Sequence, residues 1–223
     1  MESKQIVVIG AGRFGASFAE TAMELGHEVL LIDRDADRID GLADRVTHAV
    51  VADVSQDGVL YELGISNFDI AVIAIVSNYQ ASIMSALVCK ELGIPLVIAK
   101  AKDEIHARVL DKIGATKTVF PERDSGIRLA HSLTNRQIMD FIALSEEFDL
   151  LEIRPLRSWV GKSIKQIDIR HQYGLNVIAL KEEEERLLLN PGGDTIVQPN
   201  TILTVLGHKE QIRAFERLDD HAN

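Results

Sequence analysis

The sequence predicts an α/β fold: a doubly wound parallel sheet in the first part of the chain, followed by a second, smaller α+β domain. Three observations lead to this prediction. Short apolar runs alternate with helically spaced apolar residues up to about residue 113. A glycine-rich turn joins the first run to the first helical stretch, and beyond Phe141 short strand-like runs dominate.

The first part of the chain reads as alternating strands and helices. The predicted strands are Ile6–Ile9, Val29–Ile32, Ala49–Ala52, Ile70–Ile75 and Leu96–Ala99. The helical patterns cover residues 13–25, 35–44, 55–63, 79–92 and 103–113. Strands buried on both faces are continuously apolar, so this alternation is typical of a parallel sheet covered by helices. Gly26, Gly64, Gly93 and Gly114 stand where helices end, as suits a residue that tolerates left-handed geometry.

The domain boundary falls in a long helical pattern. Lys117–Phe120 is predicted as a sixth strand, and Pro121 opens a helix that continues to about Phe141. We expect residues 1–134 to form the first domain with its crossover helix. Residues 135–223 then hold the rest of a linker helix and a small α+β domain. Its strands are predicted at residues 149–154, 177–180, 185–189 and 201–206, its helices at 161–172 and 208–217, and an exposed hairpin turn at Glu182–Glu185.

Composition excludes several classes of protein. The 24 basic residues stand against 34 acidic ones, and a net charge of -10 repels nucleic acid, which we therefore exclude as a partner. The single cysteine, Cys89, allows no disulfide within the chain and is predicted to be a buried apolar residue. No signal sequence precedes the first strand, and the longest apolar run, residues 70–76, is too short for a bilayer. We expect a cytoplasmic protein.

The glycine-rich turn predicts phosphate binding. Gly10, Gly12 and Gly15 match G-x-G-x-x-G directly after a strand and before a helix, which is the context of a Rossmann-type nucleotide site. Gly10 permits the tight turn and Gly12 admits phosphate to the backbone. Gly15 allows close helix packing, and the helix N-terminus attracts negative charge.

Acidic residues follow the second and third strands. Asp33 comes 18 positions after Gly15, where a carboxylate accepts hydrogen bonds from both ribose hydroxyls and disfavours a 2′-phosphate. Arg34 leaves two interpretations open, because an arginine there holds a 2′-phosphate or stacks over adenine. Asp53 either receives the adenine amino group or caps the next helix.

The sequence contains no recognisable catalytic or metal-binding motif. The seven histidines show no metal-binding spacing, and no nucleophile motif occurs, so the residues themselves give no sign of catalysis. A small NAD-dependent oxidoreductase is the alternative, although only about 80 residues remain for its substrate region. A redox-sensing transcription regulator would need a strongly basic helix, which the sequence lacks.

Nearly the whole chain resembles the RCK family, in particular the stand-alone cytosolic TrkA/KtrA-type subunits of bacterial potassium transporters. The resemblance rests on Val8–Gly15, Asp33–Arg34, Ala52–Asp53, Asn78–Ser82, Lys90–Pro95, Ile113–Thr116, Phe120–Arg123, Tyr173–Ala179 and Leu206–His208. It implies a gating subunit and not an enzyme. Its dimers would assemble into a tetrameric or octameric ring on a membrane potassium-translocating subunit, at the inner face of the cell membrane. It also implies binding of ATP or ADP, with NAD(H) as a further possibility.

The resemblance further implies site residues. The nucleotide residues are Gly10, Gly12, Arg13, Phe14, Gly15, Asp33, Arg34, Asp53, Val54, Lys100 and Glu122. Glu122 lies where the family places a carboxylate near phosphates at the dimer interface, so we expect a divalent or sodium ion there. KtrA-like members also bind cyclic di-AMP in the second domain. The matching positions here are Ile169, Arg170, Asn176, Val177 and Pro191, for which ordinary packing roles carry comparable weight.

Overall fold

A computed structural model describes residues 2–135, 137–145, 147–182 and 186–217. The chain divides into two compact units, with the boundary after Pro121. Each unit has its own sheet and its own apolar core. Across these described residues, we find no helix with the length and apolar character needed to cross a membrane.

The first unit contains the predicted parallel sheet. Its strands are β1 (Gln5–Ile9), β2 (Glu28–Asp33), β3 (His48–Val51), β4 (Ile70–Ile73), β5 (Leu96–Lys100) and β6 (Lys117–Val119). They lie in the order β3-β2-β1-β4-β5-β6 with every pairing parallel. This order confirms the doubly wound Rossmann-type prediction.

Helices cover both faces of this sheet. They are α1 (Arg13–Glu24), α2 (Ala36–Asp40), α3 (Val59–Glu62), α4 (Tyr79–Glu91) and α5 (Glu104–Ile113). The predicted second and third helices are shorter than expected. The 35–44 pattern breaks after α2 and resumes as one 3-10 turn, Ala43–Arg45. Gly58 takes a φ of 84°, which prevents the third helix from beginning at residue 55.

Both faces of the sheet are buried against apolar side chains. Val7, Ile9 and Ile73 pack under one helical layer, whereas Val8 and Leu31 pack under the other. Cys89 is fully buried in the first of these cores, as predicted. Burial raises the pKa of its thiol to about 12, so the sulfur stays protonated and unreactive.

The second unit is a small α+β structure. Its elements are α6 (Pro121–Thr134), β7 (Ile138–Ala143), β8 (Phe148–Ile153), α7 (Ile164–Ile167), α8 (Ile169–Tyr173), β9 (Asn176–Lys181), β10 (Leu187–Leu189), β11 (Ile202–His208) and α9 (Lys209–Glu216). The strands form an antiparallel sheet in the order β10-β9-β11-β8-β7. Apart from Glu182, the predicted hairpin turn lies outside the described residues.

The predicted helix through Phe141 is wrong at its C-terminal end. Helix α6 stops at Thr134, and Ile138–Ala143 pairs with β8 as the edge strand of the sheet. Asn135 turns the chain, because its side-chain oxygen accepts a hydrogen bond from the Gln137 N–H at 2.9 Å. The helical pattern at 161–172 also breaks in two, at Asp168 with a φ of 52°.

Helix α6 is fastened to the second unit along one face. The Arg128 guanidinium forms a fork with the Asp140 carboxylate, with N–O distances of 2.7 and 3.0 Å. One turn later the His131 ring stacks on Phe141 at a centroid distance of 4.2 Å and contacts Glu216 of α9 at 2.8 Å. All of α6 except its first residue therefore belongs to this unit, although the sequence assigns the helix to the first domain.

Candidate functional site

The glycine turn lies at the carboxyl end of the central strands. Gly10 donates its N–H to the Ile32 carbonyl of β2 at 2.7 Å, and Ala74, after β4, donates to Ile9 at 2.8 Å. The strand order reverses between β1 and β4, and ligands of such sheets bind at that reversal. The turn is therefore placed where this fold receives a nucleotide.

The three glycines of the turn differ in whether, and why, the structure requires a glycine at that position. Gly10 has a φ of +111°, a conformation that side chains rarely adopt. A Cβ on Gly15 would lie 1.9 Å from the Gly10 carbonyl oxygen, so only glycine lets α1 pack against the turn. A Cβ on Gly12 would meet no atom within 4 Å. Gly12 thus faces open space, and packing within the unit gives no reason for a glycine there.

That open space lies in front of the α1 N-terminus. Gly12 is the N-cap residue, and no side chain caps the helix. The first turn carries no acidic residue, and Arg13 at its first position is exposed. Uncapped N–H groups, the helix dipole and an exposed cation together favour an anion such as phosphate.

Asp33 links the glycine turn to the end of β2. Its Oδ2 atom accepts the Ala11 N–H at 2.6 Å, and its Oδ1 atom accepts the Asp35 N–H at 3.0 Å. The side chain is only 11% exposed. Two backbone donors therefore fix the carboxylate beside the turn, where the sequence places the ribose.

Asp53 lies close to Asp33, because Ala52 at the end of β3 donates its N–H to the Asp33 carbonyl at 2.9 Å. The Asp53 Oδ1 atom accepts hydrogen bonds from the Ser55 hydroxyl at 2.7 Å and from the Ser55 N–H at 3.0 Å. These bonds, and then the Arg34 charge, hold the pKa of Asp53 below its usual value. The alternative that Asp53 caps the next helix is wrong, since Gly58 occupies that position.

Two other predicted residues, Lys100 and Val54, are buried in the first unit. Lys100, the last residue of β5, is 7% exposed, and its ammonium lies 5.6 Å from the centre of the Phe14 ring. A buried cation over an aromatic face is thereby held near the glycine turn. Val54 packs its side chain into the core, so only its backbone is left to face a ligand.

The remaining predicted residues belong to the second unit. Glu122 lies in the first turn of α6, and within the described ranges no group of three or more histidine, cysteine or acidic side chains is arranged to hold a metal. Ile169 is 1% exposed, whereas Arg170 and Asn176 are exposed. Val177 and Pro191 are half-buried.

Two features of the first unit were not predicted from the sequence. The Arg38 NH1 atom, on α2, lies 3.7 Å from Asp33 Oδ2, although Arg34 is the arginine next to Asp33 in the sequence. A second polar cluster joins α4 to α5: the Tyr79 hydroxyl donates to Asp103, and the Tyr79 ring lies 4.3 Å from the His106 ring. The sequence signal for this cluster is the three-residue spacing of Asp103 and His106, which is typical of an N-cap residue and the N–H group that it caps.

The fold and the turn define the chain as a Rossmann-type nucleotide-binding protein with a small α+β domain. Two family descriptions match it: the TrkA-N domain over residues 6–121 and the TrkA-C domain over residues 150–219. It is 37% identical to the Ktr system potassium uptake protein A of Bacillus subtilis over 97% of both chains. It is 39% identical to protein C of the same system over 96% of both chains. The chain therefore belongs to the TrkA/KtrA-type RCK family.

Solved structures of the GsuK channel share the fold. One matches with a TM-score of 0.68 at 22% identity, covering 97% of this chain and 39% of the channel chain. Two others have a TM-score of 0.51: GsuK bound to NAD, at 23% identity over 97% of this chain, and GsuK bound to ADP, at 24% over 59%. The chain spans less than half of these longer chains, 38% and 34% respectively.

Proposed function

We propose that this chain is a cytoplasmic, non-enzymatic gating subunit of a membrane potassium uptake system and that it binds ATP or ADP at the glycine turn. One observation carries the proposal: the open space at Gly12, in front of an uncapped helix N-terminus, lies beside a carboxylate already oriented by the Ala11 N–H. The open space suits a phosphate group, and the carboxylate beside it suits the ribose of the same nucleotide. The potassium uptake relatives and the GsuK structures with ADP and NAD support it.

The two ends of the site have separate tasks in this proposal. Asp33 receives the ribose hydroxyls, with Arg34 and Asp53 toward the adenine. Arg13 and Lys100 attract the phosphates, and Lys100 suits the distal phosphate that distinguishes ATP from ADP. A difference in affinity between two shapes of a dimer-built ring then supplies the coupling free energy to the membrane subunit. NAD(H) shares the adenosine half and is the further candidate ligand.

The second unit contributes a separate ligand site to the proposal. Arg170 and Asn176 are exposed and offer a cationic fork and an amide, which suit the phosphates and adenines of cyclic di-AMP. Because Ile169 is buried, its side chain serves the core, and its contribution to a ligand would come from the backbone. A divalent or sodium ion at Glu122 belongs to the same proposal, since a carboxylate near phosphates needs a cation between them.

Calorimetric titration of the purified chain with ATP, ADP, NADH and cyclic di-AMP tests the proposal. We expect binding of ATP and ADP, and at least about tenfold weaker binding to Asp33→Asn, because charged hydrogen bonds to ribose are lost. Asp37→Asn is the matched control: it removes the same charge from an exposed position on α2. Equal affinity of all three proteins would contradict the assignment of Asp33. Loss of cyclic di-AMP binding in Arg170→Gln alone would locate the second site.

Function is tested in cells that depend on one potassium uptake system at limiting potassium. The chain, expressed with its membrane subunit, should support growth, and Asp33→Asn should impair it while Asp37→Asn does not. Steady-state hydride transfer by the purified chain would instead favour the NAD-dependent oxidoreductase.

A further inference from the structure

A second arginine, Arg38, lies on α2, the helix that follows β2. The Arg38 NH1 atom lies 3.7 Å from Asp33 Oδ2, and its Nε atom lies 3.1 Å from Asp35 Oδ2. Asp35 also caps α2 by accepting the Arg38 N–H at 3.4 Å. The helix start therefore holds this guanidinium against two carboxylates at once.

The geometry leaves the Asp33 acceptors available. A carboxylate offers about four lone-pair positions. Two of them are taken by the Ala11 and Asp35 N–H groups. Arg38 is beyond hydrogen-bond distance from Asp33, so it acts on that carboxylate through its charge alone. The remaining lone pairs stay free for two ribose hydroxyls, with a cation beside them.

Arg34 does not have this position. It is exposed, and its charge helps to keep the pKa of Asp53 below its usual value. Arg38, five positions after Asp33, is therefore the arginine that lies against its carboxylate, whereas the adjacent Arg34 forms no ion pair with it in the described part of the chain. The two arginines make a natural pair for comparison, since each carries one positive charge and both are exposed within five residues of Asp33.

We propose that Arg38 determines how strongly the ribose subsite discriminates a 2′-hydroxyl from a 2′-phosphate, an inference that rests on the proposed nucleotide binding at Asp33. A 2′-phosphate beside Asp33 would meet two carboxylates, Asp33 and Asp35. Arg38 is the cation within 4 Å of both. It partly cancels their repulsion, so the site tolerates a 2′-phosphate better than a bare aspartate would. Removal of Arg38 sharpens the preference for the hydroxyl.

The test compares two probes that differ only at the 2′ position: adenosine 5′-monophosphate and adenosine 2′,5′-bisphosphate, each competing with ADP in calorimetric titrations. The measured quantity is the ratio of their dissociation constants, bisphosphate over monophosphate. Arg38→Gln should raise this ratio about tenfold at low salt, because a dianion loses a nearby cation. Arg34→Gln should change it less than about twofold, since the ion pairs of Asp33 and Asp35 are with Arg38. The Arg38→Gln effect should shrink as salt is added.

Each outcome decides between the proposals. An unchanged ratio in Arg38→Gln, or an equal change in Arg34→Gln, overturns the role of Arg38 while ADP binding survives. Failure of the wild-type chain to bind ADP overturns the proposed function and this inference together. Arg38→Lys keeps the charge and should restore most of the wild-type ratio. A ratio as high as that of Arg38→Gln would mean that α2 geometry, and not charge, is responsible, and would also overturn the inference.

Discussion

The two glycines at the start of α1 give the sharpest prediction. A Cβ on Gly15 would lie 1.9 Å from the Gly10 carbonyl oxygen and 3.1 Å from the Ala74 Cβ atom. Ordinary contact between such atoms needs about 3.4 Å, so α1 or the turn must move by more than about 1 Å. Overpacking of this kind costs about 1–3 kcal/mol, or more where the obstacle is backbone. We expect Gly15→Ala to lower both the melting temperature and ADP binding.

Gly12→Ala should behave differently, because its Cβ meets nothing within 4 Å and its φ of −69° suits any residue. Alanine at an N-cap position costs less than about 1 kcal/mol relative to glycine, so the fold should persist. The added methyl would nevertheless occupy the space that the proposal gives to phosphate, and ADP affinity should fall at least about tenfold. Thermal melting and calorimetric titration measure the two effects separately. Normal ADP binding by Gly12→Ala would refute the placement of phosphate at this turn, and a normally stable Gly15→Ala would refute the packing argument.

Three further predictions concern stability. Burial raises the pKa of Asp149, so its contribution to stability is present below the unfolded-state value of 3.8 and is lost as pH rises through the folded value. Asp149→Asn should therefore melt at the same or a higher temperature at pH 7, and its melting temperature should fall less than that of the wild type as the pH is raised above 3.8. Burial lowers the pKa of His106, so stability should fall as pH drops below 6.5, and His106→Gln should lose this acid dependence. An identical pH profile in either variant would contradict the respective assignment. Gly126→Ala, at an interior position of α6 where a Cβ has free space, should raise the free energy of unfolding by about 0.5–1 kcal/mol, and a lower urea midpoint would contradict it.

Continuous apolar runs were enough to predict the strands of the first sheet. Ile6–Ile9 of β1 and all of β4 are apolar and largely buried on both faces, so the signal does not depend on tertiary partners. Edge strand β7 lacks that signal. Ile138 and Phe141 are buried, but Met139 and Ile142 are exposed, and the three-residue interval between the buried pair resembles a helical one. A register irregularity between Ile138 and Asp140 produces this spacing, and it arises only when β7 pairs with β8.

The candidate site was predictable to a similar degree. The glycine turn and Asp33 could be placed because their spacing reflects local strand, turn and helix geometry. Arg38 could not, since its approach to Asp33 depends on α2 beginning at Ala36, directly after the Asp35 cap. Lys100 was assigned by resemblance alone, because its closeness to Phe14 follows from sheet order across β1, β4 and β5.

The attachment of α6 decides where the chain can be cut. Contacts through Arg128 and His131 hold this helix to β7 and α9, so a fragment that starts after residue 134 would lose one wall of its own structure. A first fragment that ends at Pro121 keeps all six parallel strands. Dissection of the protein into separately expressed halves should therefore divide it at the start of this helix and not at its end.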